Sequence, residues 1–278
     1  MANDPLAAAL RPLIDRFSGR TSLALYRFSD DMQYHHRSET TMPAASLIKL
    51  PILCAALAEV EAGRLSLEQR VRVTADDTVG GSGVLHALHP GVELSLYDLL
   101  TLMIVVSDNT ATNMVIDLVG QDAINDWCEA HSLVHTELVG KLQLPDAKQN
   151  EAQRRGERNA TCAAEMLRLL VRLQRGRLLP DETTTTALEI MKKQQFHEAM
   201  GRYLPRDGGL EPSPITLASK SGCLRGVWHD AGIVYRNGEP LYALVVMTTD
   251  ARDTSFGVEQ EGVMLIAKLS EQVFALLR

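Results

Sequence analysis

The chain has 278 residues, 45% of them hydrophobic and 23% charged, with a formal net charge of −7. That is enough for one large or two intimate domains, and the balance is ordinary for a soluble globular protein. The acidic surplus argues against nucleic-acid and anionic-membrane binding, which need basic surfaces, and no apolar run reaches the roughly 18 residues that cross a bilayer.

The first residues, Met1-Ala2-Asn3-Asp4-Pro5, hold no basic region followed by an apolar one. The expectation is a cytoplasmic protein or a trimmed mature form of an exported one. Leu6 to Phe17 has helical spacing, with Pro12 inside it and a stop at Ser18-Gly19. Thr21–Phe28 alternates as a strand, with Leu23 and Leu25 on one face and Tyr26 and Phe28 on the other. Met32–Arg37 returns after a turn at Asp30-Asp31.

The character changes at Pro43-Ala44-Ala45-Ser46-Leu47-Ile48-Lys49-Leu50. A small-residue run enters an apolar helix that ends at Gly63, with Pro51 near its start. Ser46 either caps this helix or uses the orphan N–H groups beside it. Lys49 is three residues on, so its amine lies on the same helical face. Alone, such a Ser-x-x-Lys pattern turns up by chance about once in a chain this long.

Gly80-Gly81-Ser82-Gly83 reads as a flexible loop at the edge of a site, since no Lys-Ser/Thr follows in phosphate-binding register. His86 and His89 lack a third partner and read as surface residues, so no metal is expected. Cys54, Cys128, Cys162 and Cys223 show no C-x-x-C spacing and read as reduced and mostly buried thiols.

Leu94–Val106 is an apolar helix running into Ser107-Asp108-Asn109, and helical character resumes to Gly120 and over Ala123–Ala130. Leu138–Arg158 is a polar loop of some twenty residues, a length that in a compact domain points to function. Helices follow at Ala163–Leu173 and Asp181–Lys193. Strands follow at Ile215–Lys220, Ala231–Arg236 and Leu241–Thr248, the last two joined by an Asn237-Gly238 hairpin signal. Val258–Leu277 closes the chain as a helix. Strands at both ends with helices between predict an α/β (α+β) architecture. Residues 1–45 and 195–278 form a discontinuous antiparallel-sheet domain with flanking helices. Residues 46–194 form an all-helical domain, with the site at the interface.

Three patterns occur in order: Ser46-Leu47-Ile48-Lys49, Ser107-Asp108-Asn109 and Lys220-Ser221-Gly222. With Thr in the third, this is the signature set of class A β-lactamases and penicillin-binding proteins. The chain resembles that superfamily over nearly its whole length, and class A serine β-lactamases most. The residue types support the chemistry. A serine needs a base to become a nucleophile. Lys49 serves if its pKa falls, and a nearby Lys220 pushes it down. Ser107 can pass the proton towards the leaving nitrogen. Asn109 can hold Lys49 and the substrate, and Lys220 and Ser221 a substrate carboxylate. The resemblance further implies an oxyanion hole from the N–H groups of Ser46 and Cys223.

The family also carries a glutamate and an asparagine, four apart, in the long loop, the glutamate activating the water that releases the acyl group. Counting back from Arg158 puts Asn150 and Asp146 in these roles, with Glu151 as rival for the base. Asn159 replaces an acid that in the family pairs across the base of the loop, so a looser loop is expected. The family's arginine near the third motif has no counterpart in place. Arg225 lies close, and Trp228 and His229 occupy the neighbourhood. The resemblance implies a monomeric hydrolase acting on a small β-lactam or acyl-D-alanine-like molecule through an acyl-enzyme on Ser46, without cofactor. Asp146 ends one methylene short of the family's glutamate and reaches less far, so slow release of the acyl group is expected. The alternatives are a D-alanyl-D-alanine peptidase or esterase, and a penicillin-binding sensor that acylates without turnover.

Overall fold

The structure, a computed structural model, describes residues 5–205 and 213–278. The first four residues, on which the reading of the amino terminus partly rests, lie outside the described residues. The chain opens with α1 (Pro5–Ile14), β1 (Arg20–Arg27), β2 (Gln33–His36), β3 (Met42–Pro43), α2 (Lys49–Glu61), β4 (Arg70–Arg72) and β5 (Glu93–Ser95). Helices α3 (Leu96–Val105), α4 (Asn109–Val119), α5 (Gln121–Ala130) and α6 (Glu151–Arg154) follow. Then come β6 (Ala160–Thr161), α7 (Ala163–Gln174), α8 (Asp181–Lys192), β7 (Ile215–Leu224), β8 (Val227–Arg236), β9 (Glu239–Thr249) and α9 (Glu261–Leu277).

Five strands from the two ends of the chain form one antiparallel sheet in the order β2-β1-β9-β8-β7. The β8–β9 turn forms at Asn237 and Gly238, both at positive φ as a two-residue hairpin requires. Residues alternate across the sheet, and both faces are covered. Leu23, Leu25, Leu244 and Val246 pack with α1 and α9 on one side. Ala24, Tyr26, Ala231, Val245 and Met247 pack on the other with residues of α2, α3, α4, α7 and α8. The helical layer and the sheet therefore share one core.

That sharing explains why α2 is apolar all round: Leu50, Ile52, Leu53, Cys54, Ala55, Ala56 and Leu57 are all buried. It runs through the middle of the molecule and carries Lys49 at its first position. The long segment 138–159 is not featureless, as its polar composition suggests. It holds a 3₁₀ turn at Asp146–Lys148 and the short helix α6, started by a capping box between Asn150 and Gln153.

Candidate active site

The site is built on four pieces of backbone. The first is a 3₁₀ turn, Ala45–Ile48, that feeds directly into α2. Ser46 lies in it half-buried, and no side-chain cap is made at its start, so the capping role open in the sequence is not taken. Lys49, one turn on, is fully buried. Its Nζ donates to the Ser107 carbonyl at 2.7 Å, to Ser107 Oγ at 3.1 Å and to Asn109 Oδ1 at 2.9 Å. Burial holds its pKa well below the usual lysine value, and the Lys220 charge lowers it further. The order of causes matters, because the sequence suggests only the second.

The second piece is the break between α3 and α4. Ser107 sits at φ +54°, a strained setting for a non-glycine residue. Asp108 then caps α4 through Ala111 N and also accepts from Val84 N and Leu85 N. Asn109 donates from Nδ2 to the Gly80 carbonyl and from its backbone N to the Ser82 carbonyl. The motif thus ends one helix, starts the next and anchors the glycine-rich loop. Gly83 in that loop has no room for a larger residue: a Cβ there falls 2.3 Å from the Asp108 carboxylate.

The third piece is β7. A Cβ on Gly222 falls 2.8 Å from Ser46 N and 3.2 Å from Leu47 N, so glycine there lets the strand lie directly against the serine turn. Lys220 is fully buried, donates to the Ser221 carbonyl at 2.6 Å, and is drawn down to about 8 by burial, with the buried Asp230 opposing. Cys223 is half-buried at the cleft, and burial pushes its thiol up. His229 turns inward. It is fully buried, its Nε2 contacts the Pro43 carbonyl at 2.8 Å, and burial holds it down at about 4. A neutral ring in that place ties β8 to the serine segment and offers no charge to a substrate.

The fourth piece is the segment 138–159, which roofs a cleft of about 640 Å³ over Ser46. Ser46, Asn109, Cys223 and Arg225 line this cleft, together with Gly81 and Ser82. Lys49, Ser107, Lys220 and Ser221 are not part of its lining. The structure does not bring Asp146 to the cleft. That residue is exposed, and its Oδ1 accepts from Gln149 Nε2 at 3.2 Å. Glu151 is exposed too and faces Arg155 at 4.0 Å. Asn150 also points elsewhere: its Oδ1 accepts from Gln153 N, and its Nδ2 donates to the Val139 carbonyl at 2.7 Å. It lines a separate cavity of about 460 Å³ behind the loop.

The register counted from Arg158 therefore does not bring Asp146 or Asn150 to the lining of the cleft. The loop residues that do reach the cleft include Leu142, Gln143, Leu144, Gln149 and Gln153. Leu142 is held at both backbone groups by one side chain: its N–H donates to Asn113 Oδ1 and its carbonyl accepts from Asn113 Nδ2, each at 2.8 Å. Nothing in local sequence marks this pair, which lies 29 residues apart. The only legible hint is that Asn113 follows Asn109 by four residues on α4, on the face already turned to the site.

The expected looseness of the loop is also corrected. Asn159 Oδ1 accepts from Val139 N at 2.8 Å and Gly140 N at 3.1 Å, and its Nδ2 donates to the Gly140 carbonyl. Its own carbonyl accepts from Ala44 N at 2.7 Å, just before the serine turn. A neutral amide closes the loop where an ion pair was missed. Among the described residues, no cluster of His, Cys, Asp or Glu could hold a metal ion, and no helix is long and apolar enough to cross a membrane.

A serine at the head of a buried helix, a buried lysine one turn on and a second buried lysine on the facing strand form the arrangement that the resemblance to class A serine β-lactamases implies. The comparisons agree. The model of the β-lactamase enzyme family matches residues 5–277, and the chain belongs to that family. A β-lactamase of Rhodobacter capsulatus is 24% identical, covering 99% of this chain and 89% of its own. The crystal structure of a β-lactamase from Sphaerobacter thermophilus DSM 20745 superposes with a TM-score of 0.85 at 29% identity, covering 100% of this chain and 98% of that one. A leucine-to-glutamate variant of PBP-A, solved as an acyl-enzyme complex with penicillin G, superposes with a TM-score of 0.81 at 25% identity, covering 98% and 95%.

Proposed function

We propose that this chain is a hydrolase that opens β-lactam rings by acylation of Ser46 and releases the acyl group slowly. The observation that carries the reading is the Lys49 amine: fully buried, lowered in pKa and bonded to Ser107 Oγ one turn from Ser46. In this reading the amine, once neutral and so giving up one of its three donor bonds, takes the Ser46 hydroxyl proton on its lone pair as Oγ bonds to the lactam carbonyl carbon. The N–H groups of Ser46 and Cys223 hold the developing oxyanion. The ring C–N bond breaks, and Ser107 Oγ delivers a proton to the nitrogen while Lys49 reprotonates it. Lys220 and Ser221 receive the substrate carboxylate.

The slow second step follows from the roof of the cleft. Among the described residues that line it, the only carboxylate is Glu157, which already pairs with Arg155 at 2.9 Å. A water over the ester thus meets leucines and amides rather than a base. The same feature favours the second reading, a D-alanyl-D-alanine peptidase or esterase that β-lactams merely inhibit. PBP-A forms an acyl-enzyme with penicillin G in its leucine-to-glutamate variant.

One experiment separates these readings: intact mass after mixing with benzylpenicillin, followed over time. The expected result is a stoichiometric penicilloyl adduct that decays slowly. No adduct overturns the proposal. An adduct that never decays, with rapid cleavage of an acyl-D-alanyl-D-alanine peptide, favours the peptidase.

The pH profile tests Lys220. Its charge is present below about pH 8 and lost above it. The kcat/KM for carboxylate-bearing β-lactams should fall about tenfold per unit above that point. Lys49 is lowered by burial and by the Lys220 charge, and its protonation opposes acylation as the pH falls. Lys220→Ala should raise KM steeply and abolish the alkaline limb. An alkaline limb that survives this substitution removes Lys220 from carboxylate binding.

A further inference from the structure

The walls of the cleft carry charge that the acylation chemistry does not use. Arg158, from the loop, and Arg225, from the β7–β8 turn, both line it, and both are exposed. Arg158 Nη1 donates to the Gln153 carbonyl at 3.1 Å and to the Glu157 carbonyl at 2.8 Å. Neither guanidinium has a carboxylate partner among the described residues. The other charged groups of the lining are neutralised in place. Lys141 bonds Asp117 at 2.7 Å, and Glu157 pairs with Arg155. The cleft therefore holds two unbalanced positive charges on a chain whose net charge is −7. A locally positive, partly enclosed cleft on an acidic protein concentrates anions.

Beside these arginines lies an apolar surface without a structural task. Phe256 lines the cleft and is 62% exposed, and half-buried Leu224 lines it as well. The loop wall adds Gln143, Gln149 and Gln153, which supply neutral amides and no anion. The cleft has the size of a site for a drug-sized ligand. The scissile carbonyl belongs at Ser46 and the ring carboxylate towards Lys220. The substrate's acyl side chain is then left to the space between the loop and the β7–β8 turn.

We infer that this space selects acyl side chains that combine an apolar group with a carboxylate, held by Phe256, Arg158 and Arg225. The inference rests on the proposed acylation of Ser46. It concerns which substrates reach that serine best. Guanidinium groups suit the task, because their planar fork binds a carboxylate through paired hydrogen bonds and stays charged at every working pH.

Three penicillins test it, because they share one phenylacetamido side chain and differ only at its α-carbon. Benzylpenicillin carries hydrogen there, carbenicillin a carboxylate and ampicillin an ammonium. Second-order acylation rates are read by intact mass in the whole protein. Carbenicillin should lead benzylpenicillin by about tenfold, and ampicillin should trail it by a similar factor. Raising the salt to about 0.5 M should compress the spread in the unaltered protein, since charges on an open rim are screened. The double variant Arg158→Gln, Arg225→Gln should collapse it, and Phe256→Ala should slow all three penicillins while keeping their order. Equal rates in the unaltered protein, or a spread that survives loss of both arginines, overturn the inference and leave acylation standing. No adduct with any of the three overturns the proposed function and this inference together.

Discussion

Ser46→Ala should abolish the penicilloyl adduct while leaving the fold intact. Removing a nucleophile that acts as a unit with its base lowers the rate on the order of 10⁶-fold, which no incubation of hours recovers. The substitution is a clean one. The Ser46 side chain is half-buried, caps no helix, and sits in a turn held by backbone bonds, including Leu47 N to the Ala44 carbonyl at 3.0 Å. Lys49→Ala is a poorer test. It strips the donor from three buried oxygens, on Ser107 and Asn109, and such groups cost about 1–3 kcal/mol each when left without a partner. Loss of activity there would mix chemistry with unfolding. For Ser46→Ala, an unchanged melting temperature with no mass gain supports the assignment, and a full mass gain ends it.

The residues that could be read directly were those whose role is fixed by their own backbone. Ser46 and Lys49 share a face because a helix puts them there. Ser107-Asp108-Asn109 interrupts two helices, and Lys220-Ser221-Gly222 sits on a strand next to the serine turn, where only glycine clears Ser46 N. The sheet was legible for the same reason, through alternation and the Asn237-Gly238 turn. What escaped is the segment 138–159, because long-range bonds shape it. Asn113 holds Leu142, Asn159 holds Val139 and Gly140, and Asn150 turns inward to Val139. Counting from Arg158 assumes a fixed path between two landmarks. The chain instead takes a 3₁₀ turn and a helical turn on the outside, and Asp146 is carried out to solvent on the first of them. The shared core has the same origin: the apolar runs of α2 show burial but not what buries them.

Leu142→Glu should speed release of the acyl group from the proposed acyl-enzyme. Three features single out Leu142. It lines the cleft. Both of its backbone groups are clamped by Asn113, so a side chain there is carried by rigid structure. Asn113 lies one turn from Asn109, which itself holds Lys49, so the clamp belongs to the helix face that sets the base. A carboxylate on such a support can act as a general base on a water over the ester, an effect worth about a hundredfold or more. Decay of the penicilloyl adduct should accelerate by about that factor. Two side effects are expected. Replacing a half-buried leucine loses about 1–2 kcal/mol of apolar burial, read as a lower melting temperature. A new negative charge in the cleft wall also favours the charged form of Lys49, which slows acylation at neutral pH. Single-turnover mass spectrometry keeps the steps apart, because formation and decay of the adduct are followed separately. Asp146→Asn is the control. Its carboxylate is exposed and bonded to Gln149, so its loss should leave decay unchanged. Slower decay in Asp146→Asn would return that residue to the deacylation step. A folded Leu142→Glu variant that forms the adduct and releases it no faster would mean that the missing carboxylate is not what limits turnover.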